Sequence, residues 1–195
     1  MSMADRLLHA LAHSASRQHG GEPVSELAHS LQCADLALDG GADEELVLAC
    51  LLHDVGRYAL DQTLVLDSQE PGGGARPGAR GHPRLGAELI APWVPARVAW
   101  LVAMHADAKR YLCATEPGYC EALTPASKHT LTLQGVIVSA AEVKRLEARP
   151  WLADALWLRR WDDQAKMPGK PTRPLGHWEP IIRKYFERER EEARR

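Results

Sequence analysis

The segment ELVLACLLHDVGR (Glu45–Arg57) limits the fold more than any other stretch of the chain. Asp43 can cap a helix in which Leu46, Ala49, Cys50 and Leu52 form an apolar run, and that run ends on His53 and Asp54, with Gly56 close behind. An apolar helix carries its end into a core, and a carboxylate delivered there needs a partner. The flanking sequence keeps the same period. Leu27, Leu31, Ala34 and Leu38 follow i, i+4, i+7, i+11 and stop at Gly40-Gly41. Further helices are expected over about 84–91, 95–105, 125–134, 139–148, 151–166 and 177–192, and no alternating strand pattern with hairpin turns is present. The expectation is an all-α helical bundle, a single domain over residues 1–195 with its site core at about 20–166.

Residues 70–86 (EPGGGARPGARGHPRLG) differ from the rest. Glycine, proline and arginine favour a flexible loop, either a tolerated insertion or a device that delivers His82 to a site. The segment lacks the GK[ST] ending of a phosphate-binding loop.

Composition excludes several function classes. The 195 residues carry a formal net charge of −2, which gives no electrostatic footprint for nucleic acid. No run of 18 apolar residues exists, so no membrane span is expected, and the N-terminal MSMADRLLHALAHS lacks a signal-peptide core. Cys33, Cys50, Cys113 and Cys120 form no CxxC pair, so reduced, mostly structural thiols in the cytoplasm are expected.

Chemistry concentrates in His29, His53-Asp54, His82, His105 and Asp162. Any one histidine in a helical protein is more often structural than functional. Four imidazoles with two carboxylates and no thiolate, however, make a donor set suited to iron, manganese or zinc. A carboxylate such as Asp54 can bridge two ions through its two oxygens. Around these residues lie three polar stripes. Arg159, Asp162 and Lys166 share one helix face, Lys109 follows His105 by one turn, and Ser127, Thr130 and Gln134 share another face. Alone, each stripe reads as a solvated surface; together, beside metal ligands, they suit an oxyanion.

The ordered pattern H…HD…H…H…D resembles the HD superfamily, and His82 with His105 matches its two-metal members. More closely, GEPVSELAHSLQCA, ELVLACLLHDVGR, HADAKRYL, ASKHTLTLQG and LRRWDDQAKMPG resemble the mixed-valent di-iron oxygenases that cleave carbon–phosphorus bonds, with myo-inositol oxygenase a more distant relative. The resemblance implies two iron ions, Fe(II) and Fe(III), with O2 as co-substrate. It assigns one iron to His29, His53, Asp54 and Asp162, and the other to Asp54, His82 and His105. Asp162 is favoured over Asp163 because it directly follows the aromatic Trp161.

By the same likeness, Lys109, Ser127, Thr130, Gln134 and Arg159 contact a phosphonate, and Glu22 meets the substrate's amino or ammonium end. The implied substrate is a small zwitterionic organophosphonate, a 1-hydroxy-2-(amino or trimethylammonio)ethylphosphonate, yielding phosphate with glycine or glycine betaine. The chain departs from the pattern at His19, where these enzymes often carry a tyrosine that closes on iron, and at Arg57, where they often carry histidine. Tyr58, Tyr111 and Trp161 are the candidate aromatic faces for a trimethylammonium group. Two other readings use the same residues: a metal-dependent phosphohydrolase, and a non-catalytic HD module that binds an anion or a partner protein.

Overall fold

The computed structural model describes residues 1–60, 81–135 and 139–187, and among them it is helical, with no strand beyond one isolated bridge between Gln18 and Ser25. At the centre lies α3 (Glu44–Leu52), whose residues Leu46 to Leu52 are all buried. Asp43 caps it by accepting from the Leu46 amide. A helix apolar on every side has no face for water, so its neighbours surround it.

On one side packs α2 (Glu26–Asp39), capped by Ser25. On the others lie α6 (Ala96–Thr115) and α10 (Leu152–Gln164), which also pack on each other. The short α4 (Val55–Leu60) follows the His53-Asp54 corner and lies against α5 (Gly81–Ile90), which in turn packs on α6. One core joins these helices to α1 (Met3–His13) and α11 (Leu175–Phe186), which seal its far side. Beyond α6, α7 (Tyr119–Ala122), α8 (Pro125–Gln134) and α9 (Ala140–Glu147) complete the described chain.

Two expectations need correction. The loop placed over residues 70–86 lies outside the described residues up to 80, but its remainder is the first half of α5. Gly86 there serves close packing: a Cβ on it would stand 2.9 Å from the Gly56 nitrogen and 3.1 Å from the Val55 side chain. The cysteines are also not all free. Cys33 and Cys50 are buried thiols, whereas Cys113 and Cys120, seven residues apart across the α6–α7 turn, are joined in a disulfide. The turn folds back at Gly118, whose φ of 82° suits glycine, and brings the two Cα atoms to 5.0 Å. Sequence spacing alone cannot show such a return.

Candidate metal centre

Each expected ligand comes from a different part of the bundle. His29 lies on α2, His53 and Asp54 end α3, His82 begins α5, His105 sits mid-α6, and Asp162 stands near the end of α10. All six are buried. His29 Nε2 faces His53 Nε2 at 3.0 Å and Asp162 Oδ1 at 3.3 Å. On the other side, His82 Nε2 lies 3.0 Å from Asp54 Oδ1 and 3.2 Å from His105 Nε2. The two oxygens of Asp54 divide between the groups, Oδ1 toward His82 and His105, Oδ2 toward His53 at 3.8 Å. The spatial clusters are therefore His29–His53–Asp162 and Asp54–His82–His105.

A fit test for metal comes from hydrogen-bond bookkeeping. The Nδ1 atoms of His29, His53 and His105 each face a backbone carbonyl, of Ala165, Cys50 and Val102, all at 2.8 Å. A carbonyl only accepts, so each Nδ1 carries the proton and each Nε2 presents a lone pair. His29 and His53 thus point two lone pairs at each other at 3.0 Å, which is repulsive without a cation between them. Ligands about 2.1 Å from one ion and at right angles stand about 3.0 Å apart, as these do. Asp54 Oδ2 and His19 Nδ1 are also buried without an aligned hydrogen bond, 3.3 Å from each other. The residues present fit two ions bound by nitrogen and oxygen.

The electrostatics agree. Burial, and then the charges of His53 and His82, hold the His105 imidazole well below its ordinary pKa, and burial likewise lowers His82. Burial alone would raise the Asp54 carboxyl, but Arg57 and the imidazoles of His53 and His82 hold it well below the usual range. His53 is shifted the other way: burial lowers it, but the neighbouring Asp54 carboxylate outweighs that and raises it. The lowered imidazoles of His82 and His105 beside an ionised Asp54 are in the protonation state that metal ligation needs.

The remaining expected residues surround a small cavity of about 40 Å³ that opens on this centre. It is lined by His19, Glu22, Arg57, Lys109, Ser127, Thr130, Gln134 and Arg159, together with Lys166. Lys109 is buried and donates to Thr130 Oγ1 at 2.8 Å. Burial, and then the Arg159 guanidinium, lower its ammonium to about 7. Arg159 donates to Asp162 Oδ2 at 2.6 Å and is held further by Asp163 and Tyr119. Arg57 Nε stands 2.9 Å from Asp54 Oδ2.

His19 and Glu22 are supplied by a turn before α2. The His19 amide donates to Val24 O and the Glu22 amide to His19 O, while Gly20 and Gly21 take φ of 49° and 88°. His19 stacks on His29 with ring centroids 3.8 Å apart, and burial, then His29, push its pKa down to about 2. It therefore presents a neutral ring beside the Asp54 carboxylate and forms a third possible ligand group with His29 and Asp54.

Asp162 rather than Asp163 meets the histidines, whereas Asp163 receives Arg159 and the Tyr119 hydroxyl. Tyr58, Tyr111 and Trp161 do not line the cavity. Tyr58 is enclosed in the core under Arg17, Tyr111 bonds Glu147, and Trp161 stacks on Trp157. Sequence reasoning missed Thr124 and Tyr119, and it weighed Asp163 only as the alternative to Asp162. Only Asp163 had a local signal, its i+4 spacing from Arg159.

The HD-domain profile matches residues 27–158, which take in every cluster residue except His19 and Asp162. The chain belongs to the HD-domain family. This HD-domain chain is 34% identical over 169 residues to the [1-hydroxy-2-(trimethylamino)ethyl]phosphonate dioxygenase (glycine-betaine-forming) of Leisingera caerulea, covering 86% of the chain and 82% of that protein. It is 36% identical over 154 residues to the hydroxymethylphosphonate dioxygenase of Gimesia maris, covering 76% of the chain and 71% of the relative. An uncharacterised protein of Acanthamoeba polyphaga mimivirus is 30% identical over 169 residues, 85% of the chain and 74% of that protein. The HD domain marks a family of metal-dependent enzymes. No helix among the described residues is long and apolar enough to cross a membrane.

Proposed function

We propose that this chain catalyses the O2-dependent cleavage of the carbon–phosphorus bond of a 1-hydroxyphosphonate, with two iron ions held by the His/Asp clusters. The observation that carries the reading is Asp54, whose two oxygens face two separate histidine groups at the floor of a cationic cavity. The named relatives are phosphonate dioxygenases, which favours oxygenation over phosphoester hydrolysis. The reaction balances without further reagents. The C–P bond breaks, its carbon leaves as a carboxylate, phosphorus leaves as inorganic phosphate, and O2 is fully reduced within the two products. The nitrogen-bearing substrates would give glycine or glycine betaine, and hydroxymethylphosphonate would give formate.

His29, His53, Asp54 and Asp162 would hold one ion, and Asp54, His82 and His105 the other. Bound there in the Fe(II)/Fe(III) state, they supply Lewis acidity and the redox partner for O2. The protein's own part is orientation. Lys109 and Arg159 neutralise the phosphonate, and Ser127, Thr130 and Gln134 offer polar contacts around it. His19 and Arg57 stand beside Asp54 and control how closely a substrate approaches that carboxylate. The cytoplasmic location expected from the sequence belongs to this reading, although the Cys113–Cys120 bridge runs against its reduced-thiol basis.

The test is phosphate release by iron-reconstituted protein, with and without O2, from 2-amino-1-hydroxyethylphosphonate, its N-trimethyl analogue and hydroxymethylphosphonate. Oxygen-dependent release is expected. Oxygen-independent hydrolysis of a phosphoester panel, with no release from the phosphonates, would place the chain among the phosphohydrolases instead.

A further inference from the structure

We infer that this site takes a small 1-hydroxyphosphonate with no cationic head group, of the hydroxymethylphosphonate kind, because the carboxylate that would receive such a group is already neutralised by the protein. The inference rests on the C–P-cleavage reading above and narrows its substrate.

Metal-cluster residues aside, Glu22 is the one carboxylate that lines the cavity among the described residues. Its Oε1 accepts the Thr124 hydroxyl and lies 3.7 Å from Lys166 Nζ. Lys166 is fixed in that position, since its ammonium donates to Ser127 Oγ at 2.7 Å and stands 3.7 Å from Asp163 Oδ1. Both side chains are nearly enclosed, at 8% and 9% exposure, so solvent screens the pair weakly. An ammonium brought to Glu22 would meet the Lys166 ammonium on the same wall, and like charges at that range disfavour it.

A quaternary ammonium has a second difficulty. It donates no hydrogen bond and relies on aromatic faces, yet among the described residues no phenylalanine, tyrosine or tryptophan lines the cavity. The cavity is also small. With Glu22 offset by Lys166, the cations Arg57, Lys109 and Arg159 also reach its wall. Those cations suit a phosphonate dianion attached to a neutral carbon. The two named relatives act on substrates of each kind, one with a trimethylammonium group and one without, and the Glu22–Lys166 pair places this chain with the second.

The experiment compares kcat/KM for O2-dependent phosphate release from hydroxymethylphosphonate, 2-amino-1-hydroxyethylphosphonate and its N-trimethyl analogue, using the iron-reconstituted full chain. Hydroxymethylphosphonate is expected to be preferred by about tenfold or more. Lys166→Met, which frees Glu22, should shift the ratio toward the primary amine by about tenfold, with iron content unchanged. A wild-type preference for either nitrogen compound overturns this inference and leaves the C–P-cleavage reading standing. No phosphate from any of the three overturns the cleavage reading itself. If Lys166→Met does not fold, the wild-type ratio decides alone.

Discussion

Gly56 and His82 meet backbone to backbone. A Cβ on Gly56 would stand 2.9 Å from the His82 carbonyl carbon and 2.7 Å from the Gly86 nitrogen, so α4 and α5 can approach only because Gly56 has no side chain. That approach sets His82 Nε2 at 3.0 Å from Asp54 Oδ1. Gly56→Ala should force the helices apart, since the obstructing atoms are backbone and cannot swing away. The expected outcome is a loss of about 1–3 kcal/mol in stability, with weakened metal binding at the Asp54–His82–His105 group. Thermal unfolding and iron per chain would measure both. An unchanged iron content would mean that His82 is not positioned through this contact.

Asp54 is shared between the two groups, so its removal should act on both ions. Asp54→Ala is expected to abolish binding at both positions, whereas Asp163→Asn, which changes a neighbour of Arg159 outside the clusters, should keep the metals and raise KM. Metal analysis of the two purified variants separates them. Normal iron content with full activity in Asp54→Ala would sink the two-ion reading.

Lys109 gives the cavity a pH dependence. Its ammonium, lowered to about 7 by burial and then by Arg159, is charged below that pH and neutral above it in the ligand-free protein. The sign follows directly: kcat/KM for a phosphonate should fall as pH rises through about 7. Lys109→Arg keeps its charge throughout this range, so the fall should move to higher pH. An identical profile in the variant would assign the titration to another group.

The Cys113–Cys120 bridge closes a short loop that carries Tyr119, whose hydroxyl accepts from Arg159 Nε at 3.1 Å. A loop of this length constrains the unfolded chain by about 2–3 kcal/mol. Urea unfolding of the oxidised protein should therefore lie above that of Cys120→Ser by about that amount. Tyr119→Phe, with the bridge intact, should leave stability nearly unchanged and raise KM by loosening Arg159. Equal unfolding midpoints for Cys120→Ser and the parent would show that the bridge does not constrain the chain.

Much of this was legible in the sequence because packing and chemistry leave periodic marks. The ranges of α2, α3, α8 and α10 follow from apolar spacing, and that of α3 also from its cap at Asp43. The six expected ligand positions followed from ordered motifs and the resemblance they carry, and the bundle brings those residues together. What failed did so for physical reasons. Spacing ended α6 near residue 105, yet the helix continues to Thr115, because His105 and Lys109 occupy buried positions on its inner face, where apolar residues would otherwise mark the stripe. Function erased the signal there. In α1 the stripe Met3, Leu7, Ala10, Leu11 and the Ser2/Asp5 capping box were present, in a segment weighed only as a possible export signal. Thr124 and Lys166 meet Glu22 across more than 100 residues of chain, a contact that no local spacing encodes.

The turn before α2 deserves a different consequence from the helices around it. The cluster residues other than His19 ride on helices or helix ends, whereas His19 and Glu22 ride on the few residues between Gln18 and Ser25, pinned by one bridge and two left-handed glycines. Part of the selectivity is thus written on one short turn, although its Glu22 answers to Thr124 and Lys166 on other elements. An evolving lineage can exchange the six residues from His19 to Val24 and acquire a new diet without renegotiating its core. A library restricted to that hexapeptide is the shortest route by which a laboratory could do the same.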